Sequence, residues 1–287
     1  MTKALHISIL NEIKSEPRLS ITPEIIKKYT DLGIQVTLDV DYGTHLFSEN
    51  DWVQAGAKVA SSTSELYENN VFLQVNCPDE SQLKWFQPET TLVALLQPFK
   101  KVQQLKELVQ MNIRAMGMEF MPRSTYAQKM DALSSQSSLA GYVAVNLAAD
   151  RLNQILPMMT TPAGTIAPSR VFVIGAGVAG LQAIATARRL GARVEAFDTR
   201  PVVEEQVKSL GAKFIKCDLG NVGESNQGYA TQLTDTQLKM QHALMEKACM
   251  QADIVITTAQ LFGKKAPLII TDAMIQKMKK GSVVVDL

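Results

Sequence analysis

Cysteine and histidine are scarce in this chain of 287 residues. The three cysteines, Cys77, Cys217 and Cys249, are far apart, and the chain has only three histidines. No CxxC pair occurs, and a zinc site or a disulfide framework needs closely spaced ligands or paired cysteines. The pattern therefore predicts reduced thiols in a cytosolic protein, and it predicts no metal site.

The chain also lacks an excess of one charge and any long apolar run. Its 29 basic residues nearly balance its 28 acidic ones, so the formal net charge is +1. This balance gives no electrostatic reason to expect nucleic acid or an acidic membrane surface as a partner. No apolar run reaches the roughly 18 residues of a membrane span, and the N-terminal stretch becomes charged too early for a signal peptide. We therefore expect a soluble protein.

Apolar runs are nevertheless frequent, and they follow a regular rhythm. Hydrophobic residues make up 46% of the chain, which is enough for a full core, and the length favours two domains. Short apolar runs alternate with helical patterns, as is typical of a mostly parallel α/β sheet. In the first half, the predicted strands are 4–10, 34–40, 71–76, 91–97 and 113–119. The predicted helices there include 20–33, capped by Ser20 or Thr22, and 101–112.

A second α/β series begins at Arg170. Residues 121–142 interrupt the first series, and a predicted connecting helix at about 138–156 leads into a Pro/Gly/Thr segment at 157–170. The later predicted elements alternate strand and helix: 170–174, 178–192, 193–200, 202–212, 213–217, 236–250, 253–259, 271–281 and 282–287. We predict two Rossmann-like, doubly wound domains with a cleft between them, covering residues 1–137 and 138–287. A doubly wound sheet usually covers its last strand with a helix, so we expect the second domain to be C-terminally incomplete.

The strongest motif is a glycine-rich turn, GAGVAG, at 175–180. It follows a predicted strand and opens a predicted helix, which is the setting of a dinucleotide-binding fingerprint. Gly175 would allow the tight turn, Gly177 the approach of a pyrophosphate, and Gly180 close packing of helix on strand. Val178 and Ala179 begin the helix, whose free N–H groups favour phosphate. A glycine turn without a ligand is the alternative interpretation.

Asp198 indicates which nucleotide would bind. It ends the second strand of the series, 23 residues after Gly175, where a carboxylate accepts hydrogen bonds from ribose hydroxyls and repels a 2′-phosphate. NAD(H) is therefore favoured over NADP(H). Arg200 leaves two interpretations open, because it could accommodate a 2′-phosphate or could be a solvated surface arginine.

A polar loop at 220–235, GNVGESNQGYATQLTD, separates a strand from a helix. Loops of this length are uncommon in compact domains and are often lids. Its composition fits a lid and a disordered surface loop equally well.

Several stretches together resemble one protein family. They are RVFVIGAGVAGLQAIATARRLGA at 170–192, SSQSSLAGY at 134–142, GYA at 228–230, ITTA at 256–259 and KKGSVVVDL at 279–287. The chain resembles the NAD(H)-binding component of the proton-translocating NAD(P) transhydrogenases, which is the soluble part of their alpha subunit and is homologous to alanine dehydrogenase. The resemblance covers about residues 4–287, and PRSTYAQKMDALSSQSSLAGY is its most specific segment. The family's component normally continues further, which also implies an incomplete second domain.

The resemblance implies roles for individual residues. Arg123, Gln128 and Asp131 match a loop that contacts the nicotinamide half of the cofactor, and Ser134 matches a serine that contacts the nucleotide. A glutamine amide can bond the ribose without exchanging a proton. Further matches at the nucleotide are Thr199, Gln241, and Gly228 with Tyr229 at the tip of a mobile loop. One departure is Leu261-Phe262-Gly263-Lys264, where relatives have IPGK.

Alanine dehydrogenase is the alternative enzyme. The resemblance implies that its reaction needs a lysine where this chain has Asn76 and a histidine where it has Gln97. Neither amide shuttles protons at neutral pH, and the retained Arg18 cannot support oxidative deamination alone. His6, His45 and His242 lie at none of the expected positions, and His6 fits a packed strand position better than a catalytic one.

The resemblance thus implies hydride transfer between NAD(H) on this chain and NADP(H) on a partner component. A membrane-embedded component would couple the transfer to proton translocation. We expect a homodimer in the cytoplasm, peripheral on the inner face of the bacterial inner membrane through its partner subunits. A non-catalytic NAD-binding module is the alternative from another class.

Overall fold

A computed structural model describes residues 5–13, 15–122, 124–217, 234–260, 263 and 265–287. The predicted site residues Arg123, Gly228 and Tyr229 lie outside these residues, as do Leu261, Phe262 and Lys264. The chain forms two compact units that divide between Ala132 and Leu133. The boundary at residue 137 stays a prediction.

The first unit contains one parallel sheet of six strands. These are β1 (His6–Ile9), β2 (Gln35–Leu38), β3 (Lys58–Val59), β4 (Val71–Asn76), β5 (Thr91–Leu95) and β6 (Arg114–Gly117). Its helices are α1 (Pro23–Asp31), α2 (Glu49–Gln54), α3 (Thr63–Leu66), α4 (Glu80–Leu83) and α5 (Val102–Gln110). The strand order is β3-β2-β1-β4-β5-β6, and every pairing is parallel. The prediction of a parallel α/β sheet is confirmed.

Helix α1 shows how local sequence determines an element of this unit. Pro23 opens the helix, where its fixed φ and missing N–H cost nothing. Gly33 follows the end of the helix with φ +75°, a conformation that favours glycine. Between them Ile26 is fully buried. The predicted cap position Thr22 precedes the helix, but its side chain makes no capping hydrogen bond.

The second unit contains a parallel sheet of five strands and a separate hairpin. The helices are α6 (Ala132–Arg151), α7 (Val178–Arg189), α8 (Glu204–Ser209), α9 (Asp235–Gln251) and α10 (Asp272–Lys277). The hairpin pairs β7 (Met159–Thr161) with β8 (Gly164–Ile166), and the sheet strands are β9 (Arg170–Ile174), β10 (Arg193–Phe197), β11 (Lys213–Phe214), β12 (Ile254–Thr257) and β13 (Val283–Asp286). The sheet order is β11-β10-β9-β12-β13, with all neighbours parallel.

Strand β9 is buried on both faces of the second sheet. Val171 and Val173 pack into a core with α6, α7 and α8, whereas Phe172 and Ile174 pack into another core with α9 and α10. Alternate residues of a strand point to opposite faces, so helices cover both sides of this sheet. The Rossmann-like, doubly wound prediction is thereby confirmed for this unit.

The connecting helix differs from its predicted bounds. The sequence predicts it at about 138–156, but α6 begins six residues earlier and ends at Arg151. Ser134, expected in a loop, therefore lies in the first turns of the helix. Serine is only mildly unfavourable in helices, and the buried Ala144, Val145 and Ala148 hold the helix against the core. The segment 157–170 is predicted to be a simple crossing, but it contains the β7–β8 hairpin.

None of the helices in the described part of the chain combines the length and the apolar character that crossing a membrane requires.

Candidate functional site

The glycine-rich turn joins the end of β9 to the start of α7. Gly175 has φ +95°, and a Cβ there would lie 2.6 Å from Thr258 Oγ1. A Cβ on Gly180 would lie 1.8 Å from the carbonyl oxygen of Gly175. Gly175 is therefore required by its positive φ, and both glycines are required by the close packing within the turn.

Gly177 differs from its two neighbours in the motif. Its φ is −78°, which any residue adopts, and a Cβ there would meet no atom of the described residues within 4 Å. Neither strain nor protein packing explains a glycine at this position. The open space lies at the N-terminus of the twelve-residue helix α7, where the first backbone N–H groups lack helical partners and the helix dipole is positive.

Thr258, directly after β12, braces the turn. Its hydroxyl donates to the carbonyl oxygens of Gly175 at 3.0 Å and Ile174 at 3.3 Å, and its N–H also donates to Ile174. Sequence reasoning uses Thr258 only as a member of the ITTA match. Its position directly after β12, the strand that pairs with β9, is the sequence feature that could have identified it as a residue of the turn.

Asp198 follows β10 and is bonded to the same turn. Its side chain is only 7% exposed, and Oδ2 accepts from the N–H of Ala176 at 2.8 Å. Arg200 supplies the other observed bonds: its N–H and Nε donate to Oδ1 at 2.9 and 3.0 Å, and Nη2 donates to Oδ2 at 2.9 Å. The Arg200 side chain is 15% exposed, so its interpretation as a solvated surface arginine is wrong.

Gln241 in α9 is unusually placed for a mid-helix glutamine. It is 8% exposed, and its Nε2 donates to Met245 Sδ at 3.8 Å. Its Oε1 is buried and has no hydrogen-bond partner among the described residues. A buried acceptor left without a partner costs about 1–3 kcal/mol, so this oxygen is suited to a donor from outside the described residues.

The loop before α6 is an ordered series of turns in the first unit. Ala127 is buried, and its N–H donates to the carbonyl of Ser124 at 3.1 Å. Gln128 then begins a short 3-10 helix, Gln128–Met130, with its side chain exposed. Asp131 precedes α6 and is half-buried. The backbone thus holds Gln128 in a defined position with its amide available to a ligand.

The carboxyl end of β4 carries Asn76, where the resemblance described above implies a lysine in alanine dehydrogenase. Asn76 Nδ2 donates to Glu16 Oε2 at 2.9 Å and to Glu12 Oε2 at 3.4 Å. Arg18 donates three hydrogen bonds to Glu16. Its backbone N–H and Nε donate to Oε1, and its Nη2 donates to Oε2 at 2.6 Å. Burial raises the pKa of Glu12. Asn76 and Arg18 are thus both bonded to carboxylates of the chain itself.

The position where the resemblance implies a histidine in alanine dehydrogenase also lacks an acid–base group, and the histidine of β1 is engaged elsewhere. Gln97 is exposed with φ +49°, and its N–H donates to Glu119 Oε1 at 2.6 Å. His6 contacts Thr37 Oγ1 at 2.7 Å, and burial, followed by the charge of Lys58, lowers its pKa. His6 thus lies in β1 with intermediate burial, bonded to Thr37 of the neighbouring strand.

Substitution of Glu16 tests the hydrogen bonds that join it to Arg18 and Asn76. The hydrogen bonds from Arg18 lower the pKa of Glu16 to about 2, from 4.5. A depressed pKa stabilises the fold above pH 4.5, and that stability is lost as the pH falls towards 2. Because Arg18 is partly exposed, we expect Glu16→Gln to lower the free energy of unfolding by about 1 kcal/mol at neutral pH. Urea unfolding at several pH values would measure it.

The matched control is Glu24→Gln, which removes the exposed pair between Glu24 and Lys28. We expect no measurable change from it. The Glu16→Gln deficit should shrink between pH 5 and pH 3. A deficit that is constant with pH would show that Glu16 acts through packing instead of charge.

Metal ligands are not clustered in the described residues. No group of three or more His, Cys, Asp or Glu side chains there could hold a metal ion. Burial raises the pKa of the Cys249 thiol to about 11.

Two family models match the chain. "Alanine dehydrogenase/PNT, N-terminal domain" matches residues 8–140, and "Alanine dehydrogenase/PNT, C-terminal domain" matches residues 144–287. The boundary between the two models falls within α6. Together they include the glycine-rich turn, Asp198 and the Gln128 loop.

Similar proteins agree with these models. An NAD(P) transhydrogenase subunit alpha polypeptide of Rickettsia prowazekii is 40% identical over 98% of this chain and 75% of its own length. The crystal structure of transhydrogenase from Sinorhizobium meliloti is 37% identical, with a TM-score of 0.85 over 97% of this chain and 77% of that one. Alanine dehydrogenase of Staphylococcus epidermidis is 26% identical over 99% of this chain and 72% of its own length. The glycine-rich turn and the two parallel sheets agree with both family models and with these relatives. The chain therefore belongs to the alanine dehydrogenase/PNT family, within which it is similar to transhydrogenase alpha subunits.

Proposed function

We propose that this chain binds NAD(H) at the turn from Gly175 to Gly180 and presents its nicotinamide for direct hydride exchange with NADP(H) on a partner component. The observation that carries the proposal is the open space beside Gly177. A pyrophosphate at a helix N-terminus needs backbone approach without a Cβ. Strain and packing do not explain this glycine, and its N-cap position favours glycine only slightly, so ligand binding is the proposed reason for it.

The rest of the nucleotide would contact polar residues outside the glycine-rich turn. Asp198 and Thr199 lie at the end of β10, where the adenosine ribose binds in this fold. Gln241 offers its buried Oε1. We also propose contacts from Gly228 and Tyr229 on the basis of the family resemblance. These assignments make NAD(H) the preferred nucleotide.

The chemistry requires positioning more than proton transfer. A bound nicotinamide supplies the hydride itself, and the protein must hold donor and acceptor carbons at roughly 3–3.5 Å. Asn76 and Gln97 cannot act as general acids or bases, and direct hydride exchange requires neither. We propose that Gln128, Arg123, Asp131 and Ser134 orient the nicotinamide half of the nucleotide.

The second nicotinamide is proposed to come from another polypeptide. The sequence has one dinucleotide fingerprint, and the name of the Rickettsia relative, an alpha subunit, implies a protein of several subunits. We propose an NADP(H)-binding component and a membrane-embedded component that couples transfer to proton translocation. The chain is proposed to act as a homodimer, held peripherally on the inner face of the bacterial inner membrane.

Reconstitution tests the proposed function. The chain would be combined with the NADP(H)-binding and membrane components of a relative, and hydride transfer from NADH to an NADP analogue would be followed. We expect NADH-dependent transfer. NADH binding without transfer would favour a non-catalytic module. Turnover with pyruvate, ammonia and NADH would instead support alanine dehydrogenase and overturn the argument from Asn76 and Gln97.

Gln128→Asn should separate positioning from binding. Shortening the side chain by one methylene withdraws the amide from the ring while most nucleotide contacts remain. We expect hydride transfer to slow by about 10- to 100-fold, consistent with the sensitivity of transfer to ångström-scale misplacement. NADH affinity should change by less than about threefold. Single-turnover transfer and NADH fluorescence titration would measure the two effects.

The control is Gln103→Asn on α5, an exposed glutamine of the same unit. It should leave both quantities unchanged. Equal losses of affinity and rate in Gln128→Asn would show that Gln128 contributes general binding and does not position the ring.

A further inference from the structure

Two successive peptide units of the glycine-rich turn are each held at both ends. The first unit joins Ile174 to Gly175. Its carbonyl accepts from the N–H of Thr258, and its N–H donates to the carbonyl oxygen of Phe197, both at 2.8 Å. Both bonds come from backbone groups at the ends of the neighbouring strands, so the orientation of this unit does not depend on any side chain.

The second unit, between Gly175 and Ala176, is held by side chains instead. Its carbonyl accepts from the Thr258 hydroxyl at 3.0 Å, the shorter of the two contacts of that hydroxyl. Its N–H donates to Asp198 Oδ2 at 2.8 Å. A peptide unit is planar, with its C=O and N–H on opposite sides, so the two bonds together prevent its rotation. Gly175 alone would not prevent it, because glycine has no Cβ to restrict the backbone.

The start of α7 has little room to compensate for a lost bond at this unit. Helix α6 passes so close to it that a Cβ on Gly141 would lie 2.1 Å from the carbonyl oxygen of Ala179. On the other side, Gly180 packs against the carbonyl of Gly175. Because these contacts hold α7 in place, removal of the Thr258 hydroxyl is expected to rotate the peptide unit and not to move the helix.

We infer that Thr258 is a positioning residue for the pyrophosphate of the nucleotide. Its hydroxyl fixes the peptide unit that leads into the N–H groups at the start of α7, and such groups bind phosphate only when they converge on it. Rotation of the unit would redirect the N–H groups that follow. This inference rests on the proposed function, because it assumes that a pyrophosphate binds at this turn. It extends that function by giving a residue of another strand control over the phosphate contacts.

Thr258→Val removes the hydroxyl and nearly keeps the shape of the side chain. We expect the affinities for NADH and ADP-ribose to fall about tenfold, which is the upper range of the effect of one hydrogen bond. The affinity for adenosine, which has no phosphate, should change by less than about threefold. Competition titrations with the three ligands would measure these changes.

Two further variants isolate the hydroxyl. Thr258→Ser keeps the donor, so its affinity for NADH should stay within about threefold of that of the unaltered protein. The matched control is Thr257→Val, one residue earlier, which removes a hydroxyl that donates to Asp286 in β13. This control should leave the affinities for all three ligands unchanged.

Two outcomes would overturn the inference. Equal losses of affinity for ADP-ribose and adenosine would show that Thr258 supports the turn as a whole and not the phosphate contacts. A loss in Thr258→Ser as large as that in Thr258→Val would show that the hydroxyl is not the group responsible. Thr258→Ala, which places no methyl group against the Gly175 carbonyl, replaces the valine variant if that one does not fold, and the same losses are expected from it.

The failure of this inference differs from the failure of the proposed function. If the unaltered protein binds NADH and Thr258→Val binds it equally tightly, only the role of Thr258 is wrong. If the unaltered protein binds neither NADH nor ADP-ribose, the nucleotide site itself is wrong, and the inference falls with it.

Discussion

Gly177→Ala is expected to lower the affinity for NADH by about 100-fold, which corresponds to about 2.8 kcal/mol. The added methyl group would enter the open space beside the turn, where no atom of the described residues lies within 4 Å. A pyrophosphate bound at the N-terminus of α7 would need that space for its contact with the backbone. The methyl group would push the phosphates away from the N–H groups that hold them.

The same substitution should leave the fold nearly as stable as before. Gly177 has an extended backbone that alanine also adopts, and among the residues that the structure describes none comes within 4 Å of the position of the methyl group. Loss of unfolded-state entropy favours alanine, whereas the N-cap position favours glycine slightly, so the free energy of unfolding should change by less than about 1 kcal/mol. Isothermal titration and urea unfolding of one preparation would measure both quantities.

Larger side chains at this position give a graded test. Gly177→Ser and Gly177→Val should weaken NADH binding progressively, because each fills more of the space. Unchanged NADH affinity in all three variants would show that the pyrophosphate does not approach Gly177. The proposed function would then lose the observation that carries it.

Gly180→Ala is expected to have the opposite signature, a large loss of stability. Its methyl group would lie 1.8 Å from the carbonyl oxygen of Gly175 and 3.0 Å from Thr258 Oγ1. The carbonyl is backbone, so relief requires a shift of the turn or of the first turn of α7. Overpacking of this kind costs about 1–3 kcal/mol, and we expect the upper end of that range. Urea unfolding with an unchanged m-value would establish it.

Gly177→Ala is the natural control for Gly180→Ala, since both add one methyl group to the same motif three residues apart. NADH affinity should also fall in Gly180→Ala, because the shifted turn carries the phosphate-binding N–H groups. Equal stability of the two variants would show that the turn adapts freely to a side chain at 180. The close packing of α7 on the turn would then not depend on glycine.

The features of the fold that were predictable depend on local sequence. The glycine turn was recognisable because it lies between a buried strand and a helix whose apolar positions repeat with helical spacing. The two parallel sheets followed from the same alternation. Such features are encoded within a few neighbouring residues, so tertiary structure alters them little.

The features that were missed depend on packing across the chain. The early start of α6 extends the helix through a serine-rich segment, where helix propensity is only mildly unfavourable, in front of the buried residues Ala144, Val145 and Ala148. The β7–β8 hairpin lies in a segment whose proline and glycine indicated only a crossing. Burial of Gln241 depends on how α9 meets the sheet, and composition could not reveal it.

The sequence proposes residues for the site but not their geometry. Asp198 was expected to meet a ribose, but its four donors from Ala176 and Arg200 became visible only in three dimensions. Thr258 belonged to a motif without a role, and its hydroxyl proved to brace Gly175. The roles of Gln128, Asp131 and Ser134 stay predictions.

Strand β9 links binding of a ligand at the turn to cooperative unfolding of the second unit. Its alternate residues belong to both cores, so neither core can open while the strand keeps its place in the other. The strand ends next to Gly175, where the proposed nucleotide binds. A ligand that binds only the native turn therefore stabilises both cores at once, and amide hydrogen exchange on both faces of the sheet should slow together when the turn is occupied.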